Sequence, residues 1–352
     1  MANNNRLLFI LKRREDFNPV KHSPKGLSTG LFNSASYVVD MLTASGVEAK
    51  LEVAIDNNCI DRLVNAYKPT HVIIEALWVV PTKFDVLCKL HPKVKWIIRL
   101  HSEMPFMAGE GMAMDWLGDY TTYPNIIIGV NAPRMLEEVR VYLGIKNNWD
   151  KKTIKERVIY LPNSYPQQYK TKPFFKSSND IHIACFGAIR PLKNHLLQAF
   201  AALKFANMIG KNLKFHINSS RIEMKGEPIL HNLKGVFMQL AGTGHELLMH
   251  EWTPREQFLE LCAKMDIGMQ CNFSETFNIV SADLISQGVP IIGCNEIPWS
   301  DPKFNAKPAF SDDICNALLL TYKNAKENVH NNQSNLTKYT YYTQKVWLQY
   351  FN

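Results

Sequence analysis

Short runs of β-branched residues and leucine alternate with amphipathic stretches along most of this chain. Such apolar runs are typical of parallel strands buried on both faces, and the amphipathic stretches are typical of the helices that connect them. We therefore predict an α/β fold with parallel sheets. The strands expected in the first half are 7–11, 51–55, 72–75, 96–100, 126–130 and 158–161, with a helix near 31–42.

The alternation is interrupted once, at residues 161–180, where three prolines and many polar residues show no helical period. A second series then begins, with strands expected at 181–186, 213–217, 267–271 and 289–293 and a helix over 194–208. The chain has 352 residues, too many for one ordinary domain of roughly 100–200 residues. We predict two Rossmann-like domains, 1–165 and 181–334, joined by a linker at 166–180 and followed by a C-terminal helix at 335–352.

Several protein classes are disfavoured by composition. No run of about 18 apolar residues could span a bilayer, so we expect no integral membrane segment. The first residues place a charged cluster after a short apolar run, the reverse of the order in a secretory signal, which favours a cytoplasmic protein. The 7 cysteines include no C-x-x-C pair, so we expect free thiols, mostly buried, and no zinc site.

Positive charge is concentrated in the first half of the chain. Residues 1–176 contain 24 lysines and arginines against 17 acidic residues, a net charge of +7, whereas 16 against 15 give +1 in the remainder. An acidic partner is therefore expected for the first half. The basic residues Lys12, Arg13 and Arg14 follow the first strand at its carboxyl end, where an open α/β sheet binds ligands, and together with Lys25 they are expected to face this acidic partner.

The most informative segment is 271–293, CNFSETFNIVSADLISQGVPIIG. Glu275 and Asp283 are eight residues apart in it. If a helix begins at Glu275, this spacing is about two turns and puts both carboxylates on one side, roughly 12 Å apart. The amides of 274–278 would then be the unpaired N–H groups of a helix start, which suit an anionic or hydroxyl-rich ligand.

This segment resembles the E-x7-E signature of the retaining GT-B glycosyltransferases, which use nucleotide sugars. The resemblance implies two Rossmann-like domains facing across a cleft. It assigns Glu275 to the donor sugar and Asp283 to the ribose, with Thr276, Phe277 and Asn278 as further donor-site residues. The sequence departs from the signature at two positions, since Asp283 replaces the usual glutamate and Asn278 stands where glycine is common.

A second segment, FGAIRPLKNHLLQAFAAL at 186–203, resembles the diphosphate site of the same family. The resemblance places Gly187, Arg190 and Lys193 in a strand-to-helix turn, where two cations and a helix N-terminus would neutralise the leaving diphosphate. The usual arginine after the glycine is replaced by Ala188. No D-x-D motif occurs in the chain, in agreement with transfer that needs no metal.

Two weaker matches lie in the first half. Residues 25–42 resemble the glycine loop that faces the donor phosphates, with Gly26 and Gly30 allowing close approach. Arg99-Leu100-His101 resembles the strand-end histidine beside donor sugar and acceptor, which makes His101 a catalytic candidate with Glu275, Lys193 and Arg190. A buried histidine with a structural role is the alternative for His101.

These patterns predict a metal-independent retaining hexosyl- or pentosyltransferase. It would move a sugar from a nucleotide diphosphate, UDP in first place, to an acidic acceptor, with no cofactor besides the nucleotide-sugar co-substrate. DNA bearing a hydroxylated base is favoured over an envelope lipid or saccharide, because no basic amphipathic membrane helix is evident. A nucleotide-sugar epimerase and a non-catalytic basic nucleic-acid-binding protein remain alternatives, since fold does not fix function.

Overall fold

The structure is a computed structural model that describes residues 5–12, 29–175 and 178–351. The chain divides into two compact units. Of the described residues, the first unit contains 5–12, 29–166 and 339–351, and the second contains 167–175 and 178–338. Each unit has its own parallel sheet connected by helices, so the expected α/β fold with two Rossmann-like domains is confirmed.

The first sheet has six parallel strands in the order β2-β1-β3-β4-β5-β6. They are β1 (Arg6–Lys12), β2 (Glu48–Ala54), β3 (His71–Glu75), β4 (Lys95–Leu100), β5 (Ile126–Val130) and β6 (Val158–Tyr160). The helices are α1 (Thr29–Ala44), α2 (Cys59–Tyr67), α3 (Phe84–Leu90), α4 (Met104–Met107), α5 (Ala113–Tyr120), α6 (Pro133–Asn147) and α7 (Lys151–Arg157). The interior strand β1 buries five consecutive residues, as expected for a strand covered on both faces.

The second sheet has five parallel strands in the order β11-β10-β7-β8-β9. They are β7 (Asp180–Ala184), β8 (Asn212–Asn218), β9 (Glu246–His250), β10 (Ile267–Met269) and β11 (Ile291–Ile292). The helices of this unit are α8 (His195–Met208), α9 (Glu227–Gln239), α10 (Arg255–Ala263), α11 (Ile279–Ser286) and α12 (Ser311–Lys323). The edge strand β9 was not predicted from the sequence.

The last helix, α13 (Ala325–Phe351), begins well before the start predicted at residue 335. Its early polar residues have buried partners: Asn328 exchanges two hydrogen bonds with the backbone of Ile291, at 3.0 and 2.8 Å. This side chain therefore provides hydrogen-bond partners for backbone groups that β11, as an edge strand, would otherwise leave unpaired. Near the other end of the helix, Trp347 and Phe351 belong to the core of the first unit.

Candidate functional site

The order of the second sheet creates a switch point between β7 and β10, because β7 pairs with β8 on one side and with β10 on the other. Open parallel sheets bind ligands at the carboxyl ends of the strands beside such a point. The loop after β7 carries Gly187, Arg190 and Lys193, and the loop after β10 carries Glu275. The fold thus brings four predicted donor-site residues to one edge of one sheet.

The turn after β7 is held by unusual backbone conformations. Gly187 has a φ of +122°, a value that residues with a Cβ rarely adopt, and its N–H donates to Asn218 Oδ1 at 2.9 Å. A single 3₁₀ turn at Pro191–Lys193 follows. Asn194 then takes a left-handed φ of +56°, and its side chain donates to the carbonyls of Cys271 and Pro308 at 3.1 and 2.7 Å. These constraints start α8 at His195.

Lys193 and Glu275 form an ion pair at this edge. Both side chains are largely buried, with 11% and 9% of their surfaces exposed. Glu275 Oε1 also accepts a hydrogen bond of 2.9 Å from Asn272 Nδ2. The two candidate catalytic charges therefore neutralise each other. A ligand that carries its own negative charge and hydroxyl groups can offer each of them a new partner.

A network of side-chain amides fixes the loop that carries Glu275. Gln270 Nε2 donates to the carbonyl of Phe186 at 2.8 Å, and Gln270 Oε1 accepts from Asn272 and Asn278 at 3.2 and 2.9 Å. Asn278 adopts a φ of +59° and accepts a capping hydrogen bond from the Ser281 N–H at 2.8 Å. The network makes Asn278 the N-cap residue of α11 and holds Glu275 in the preceding loop.

The expectation that Glu275 opens a helix is therefore wrong, because α11 begins only at Ile279. Glu275 and Asp283 do not share one helical face, and the amides of 274–278 precede the helix. Phe277 is buried and stays a core residue: its ring lies 6.0 Å from that of Trp299, and its carbonyl accepts from Trp299 Nε1 at 2.8 Å. Thr276 lies buried beside it, with 9% of its surface exposed.

Asp283 is buried in the second turn of α11, where it pairs with Arg255 at the first position of α10, at 2.8 Å. Only 4% of the Asp283 side chain is exposed, compared with 26% for Arg255. The sequence pattern gave no sign of Arg255, since the pair joins two separate helices and no spacing within either helix indicates it. Any ribose contact of Asp283 must share the carboxylate with this guanidinium.

Arg190 pairs with Glu223 at 3.3 Å, and Arg221 also donates to Glu223, through Nε at 2.7 Å. The Arg221 guanidinium lies over the ring of Trp252, 4.9 Å from its centroid. The segments meet through a bridge between Ile189 and Ile222. Glu223, Arg221 and Trp252 were not predicted, because only the fold brings the segments after β8 and β9 to the turn after β7.

In the first unit, a second polar cluster lies at the carboxyl ends of β3 and β4. Glu75 is the last residue of β3 and is fully buried. It accepts hydrogen bonds from Arg99 Nη1 at 3.1 and 3.2 Å and is in contact with His101 Nε2. His101 follows β4 immediately and keeps 13% of its side-chain surface exposed. Sequence reasoning found His101 but missed Glu75, although an acidic residue closing the apolar run HVIIE was a usable signal.

Burial and charge act in opposite directions in this cluster. Burial raises the pKa of Glu75, but the positive charge of Arg99 and the contact with His101 outweigh it and hold that pKa below its ordinary value. Burial lowers the pKa of His101, against the opposing effect of Glu75. Glu75 is therefore ionised and His101 neutral near pH 7. In the second unit, burial lowers the pKa of His195 to about 3, helped by the charges of Lys193 and Arg190.

The other predicted residues are more scattered. Lys12 is exposed at the end of β1, and Gly30 lies in the first turn of α1. Arg13, Arg14, Lys25 and Gly26 fall outside the described residues.

Within the described ranges, no group of three His, Cys, Asp or Glu residues is arranged to hold a metal ion, and metal independence stays a prediction. No helix in the described part of the chain has the length and apolar character needed to cross a membrane.

No protein-family model and no curated protein matches this sequence. Solved structures do match over nearly the whole chain. Sucrose-phosphate synthase from Thermosynechococcus elongatus gives a TM-score of 0.63 at 12% identity, over 95% of this chain and 94% of that protein. The catalytic domain of starch synthase IV from Arabidopsis thaliana, bound to ADP and acarbose, gives 0.67 at 11% identity, with coverages of 97% and 99%.

The fold is that of the GT-B glycosyltransferases. The Anabaena protein HepE, in complex with UDP, adds a TM-score of 0.61 at 11% identity, over 97% of this chain and 95% of that protein. At such identities the likeness establishes the GT-B fold alone. Within this GT-B fold, the switch-point cluster belongs to the C-terminal Rossmann-like unit and the Glu75–His101 cluster to the N-terminal one.

Proposed function

We propose that this protein is a glycosyltransferase that takes a sugar from a nucleotide diphosphate. The observation that carries the proposal is the buried Lys193–Glu275 pair at the switch point of the second sheet. A structural ion pair needs no particular place in the fold, whereas this pair lies where an α/β sheet binds nucleotides. The GT-B fold, shared with proteins solved with UDP and with ADP, supports the same conclusion.

The chemistry follows from the charges. Breaking the bond between the anomeric carbon and the diphosphate oxygen leaves both bonding electrons on the diphosphate. The ammonium of Lys193, the guanidinium of Arg190 and the N-terminus of α8 are the groups we assign to that charge. Each cation now has a carboxylate partner, Glu275 or Glu223, so the donor must replace these pairs when it binds. The proposed charge stabilisation needs no metal ion.

Glu275 is then free to accept hydrogen bonds from the sugar hydroxyls while Asn272 keeps it oriented. We propose a retaining outcome, in which the acceptor attacks the face from which the nucleotide leaves and the diphosphate oxygen takes the acceptor proton. UDP is the nucleotide we favour, and the sugar is a hexose or a pentose. The second unit holds this donor, and the first unit selects the acceptor.

The acceptor we favour is anionic, because the first half of the chain carries the net charge of +7. DNA with a hydroxylated base combines negative charge with a hydroxyl group. An acidic saccharide or lipid headgroup has the same combination, and the solved proteins of this fold include enzymes of saccharide synthesis by name. Retention on duplex DNA that falls steeply with salt, and is absent on anionic vesicles, would support DNA. No retention at low salt would exclude it.

The direct test is a transfer assay. Purified protein is incubated with UDP-sugars and, in parallel, with hydroxymethylated duplex DNA, an anionic saccharide or anionic vesicles, and both UDP release and product mass are measured. We expect UDP release that depends on one acceptor and is lost in Glu275→Gln, while Glu246→Gln, an exposed glutamate on β9, retains it. A new nucleotide sugar without any acceptor would identify an epimerase. Activity unchanged in Glu275→Gln would refute the assigned site.

A further inference from the structure

The hydrogen-bond pattern around Glu75 determines the tautomer of His101. An ionised carboxylate only accepts hydrogen bonds, so the contact between Glu75 Oε2 and His101 Nε2 requires a proton on Nε2. Because the ring is neutral near pH 7, its other nitrogen, Nδ1, keeps a lone pair. Asn131 Nδ2 lies 3.4 Å from Nδ1 and is able to donate a weak hydrogen bond to that lone pair.

Glu75 itself is held rigidly by Arg99. The guanidinium donates to both carboxylate oxygens of Glu75, to the carbonyls of Leu161 and Pro162 and to Asn163 Oδ1. It is fully buried and lies over the ring of Trp347, 5.2 Å from its centroid. With so many partners, Arg99 holds the carboxylate in its contact with His101, and neither side chain is available to a ligand.

The backbone beside Glu75 is also constrained. Ala76 has a φ of +72°, a region costly for a residue with a Cβ, and such strain clusters at functional sites. Its N–H donates to the Arg99 carbonyl at 2.9 Å. The chain therefore leaves the sheet directly after Glu75, at the edge where β3, β4 and β5 present Glu75, His101 and Asn131 in adjacent positions.

We infer that Glu75 is a positioning residue that fixes the Nε2–H tautomer of His101, so that Nδ1 accepts a hydrogen bond from an acceptor hydroxyl group other than the one that attacks. This inference rests on the proposed transferase function and adds a residue to it. The acceptor hydroxyl takes the weak place of Asn131 at Nδ1, while Glu75 and Arg99 keep their present contacts. A purely structural histidine at this position would not depend on which ring nitrogen carries the proton.

The test combines spectroscopy with kinetics. Long-range ¹⁵N–¹H NMR of histidine-labelled protein, with His101→Gln for assignment, reads the tautomer without any donor. We expect a proton on Nε2 and none on Nδ1 in the wild type at pH 7.5. In Glu75→Gln the tautomers mix, and kcat/KM for the acceptor falls about 100-fold because the acceptor is no longer held in place. Its pH profile shifts, while the KM for the donor is unchanged.

Because Glu75→Gln leaves Arg99 without its carboxylate and can impair folding, Glu75→Asp is the second variant. It keeps the charge beside Arg99 but withdraws the carboxylate from His101 by one methylene. We expect folded protein, a partly restored tautomer and intermediate kcat/KM. An Nδ1 proton in the wild type, or a wild-type pH profile in both variants, would overturn the inference. UDP titration of the same variants separates the two proposals: if UDP binds, only the role of Glu75 has failed, and if no protein binds it, the transferase proposal fails with it.

Discussion

The ammonium of Lys193 can have two roles, as the structural partner of Glu275 and as the cation that binds the diphosphate, and replacing Lys193 by methionine is the first step in separating them. The change keeps the aliphatic stem but leaves the Glu275 carboxylate unpaired, with 9% of its side chain exposed. A buried charge that has lost its partner costs about 3–5 kcal/mol. We expect the lower end, about 3 kcal/mol, because Asn272 still donates to Glu275 at 2.9 Å.

Lys193→Met combined with Glu275→Gln removes both charges. Since neutral replacement of a buried ion pair is often close to neutral in free energy, the double variant should return to within about 1 kcal/mol of the wild-type stability. UDP binding should not return, because the cation is still missing. A hydrogen bond to a charged group contributes about 1.5–3 kcal/mol, so we expect an affinity about 10- to 100-fold weaker than wild type.

Urea unfolding measures the stability of the three proteins, and equilibrium dialysis with labelled UDP measures binding. Lys204→Met is the matched control, because Lys204 lies on α8 in an exposed ion pair with Asp312 and its loss should leave stability and binding close to wild type. If the double variant regained both stability and wild-type UDP affinity, Lys193 would be a structural residue, and the reasoning would be refuted.

Three other predictions follow from single contacts. Asp283→Asn should destabilise the protein by about 2–3 kcal/mol, less than a fully buried pair because Arg255 stays 26% exposed; urea unfolding checks this, and undiminished UDP affinity in this variant would mean that the ribose binds elsewhere. Asn194→Gly loses one buried and one partly buried hydrogen bond, and we expect it to be less stable than the wild type by about 2–3 kcal/mol in the same assay. Asn194→Ala should cost about 1 kcal/mol more because of the positive φ. Equal losses in the two variants would contradict the strain argument. Burial lowers the pKa of His195 and of His216 to about 3. Between about pH 6.5 and 3, these two residues therefore take up protons only in the unfolded chain. From pH 6.5 to 5.5 the free energy of unfolding should fall by about 1 kcal/mol for each of them. His216→Gln should reduce that slope, and a slope unchanged by the substitution would disprove the assignment.

Most of the fold could be predicted because its strands are buried on both faces and read as continuous apolar runs. The run 126–130 coincides with β5. The edge strand β9 was missed because it pairs with one strand only, β8, and because none of its residues ELLMH is fully buried. The early start of α13 was missed because polar residues such as Asn328 read as solvent-exposed, whereas their amides bind the backbone of β11.

The candidate site could be predicted only where one segment carries its own signal. The turn with Lys193 and the loop with Glu275 are recognisable motifs, and the fold brings them together. The start of α11 could not be read from the spacing of two carboxylates, because it depends on the amide network around Asn278. Arg255 carries no local signal, because its partner Asp283 lies on another helix. Glu75 does close an apolar run, but its role becomes visible only when the fold brings Arg99 and His101 to it.

The central claim is that the switch point of the second sheet binds a nucleotide diphosphate through Lys193. Calorimetric titration of UDP, GDP, ADP and CMP, without added metal, into the wild type and into Lys193→Met/Glu275→Gln tests it most directly. We predict saturable binding of one diphosphate, UDP in first place, that is weakened at least about 10-fold in the double variant. Binding of none of the four nucleotides, or equal binding by both proteins, would contradict the account.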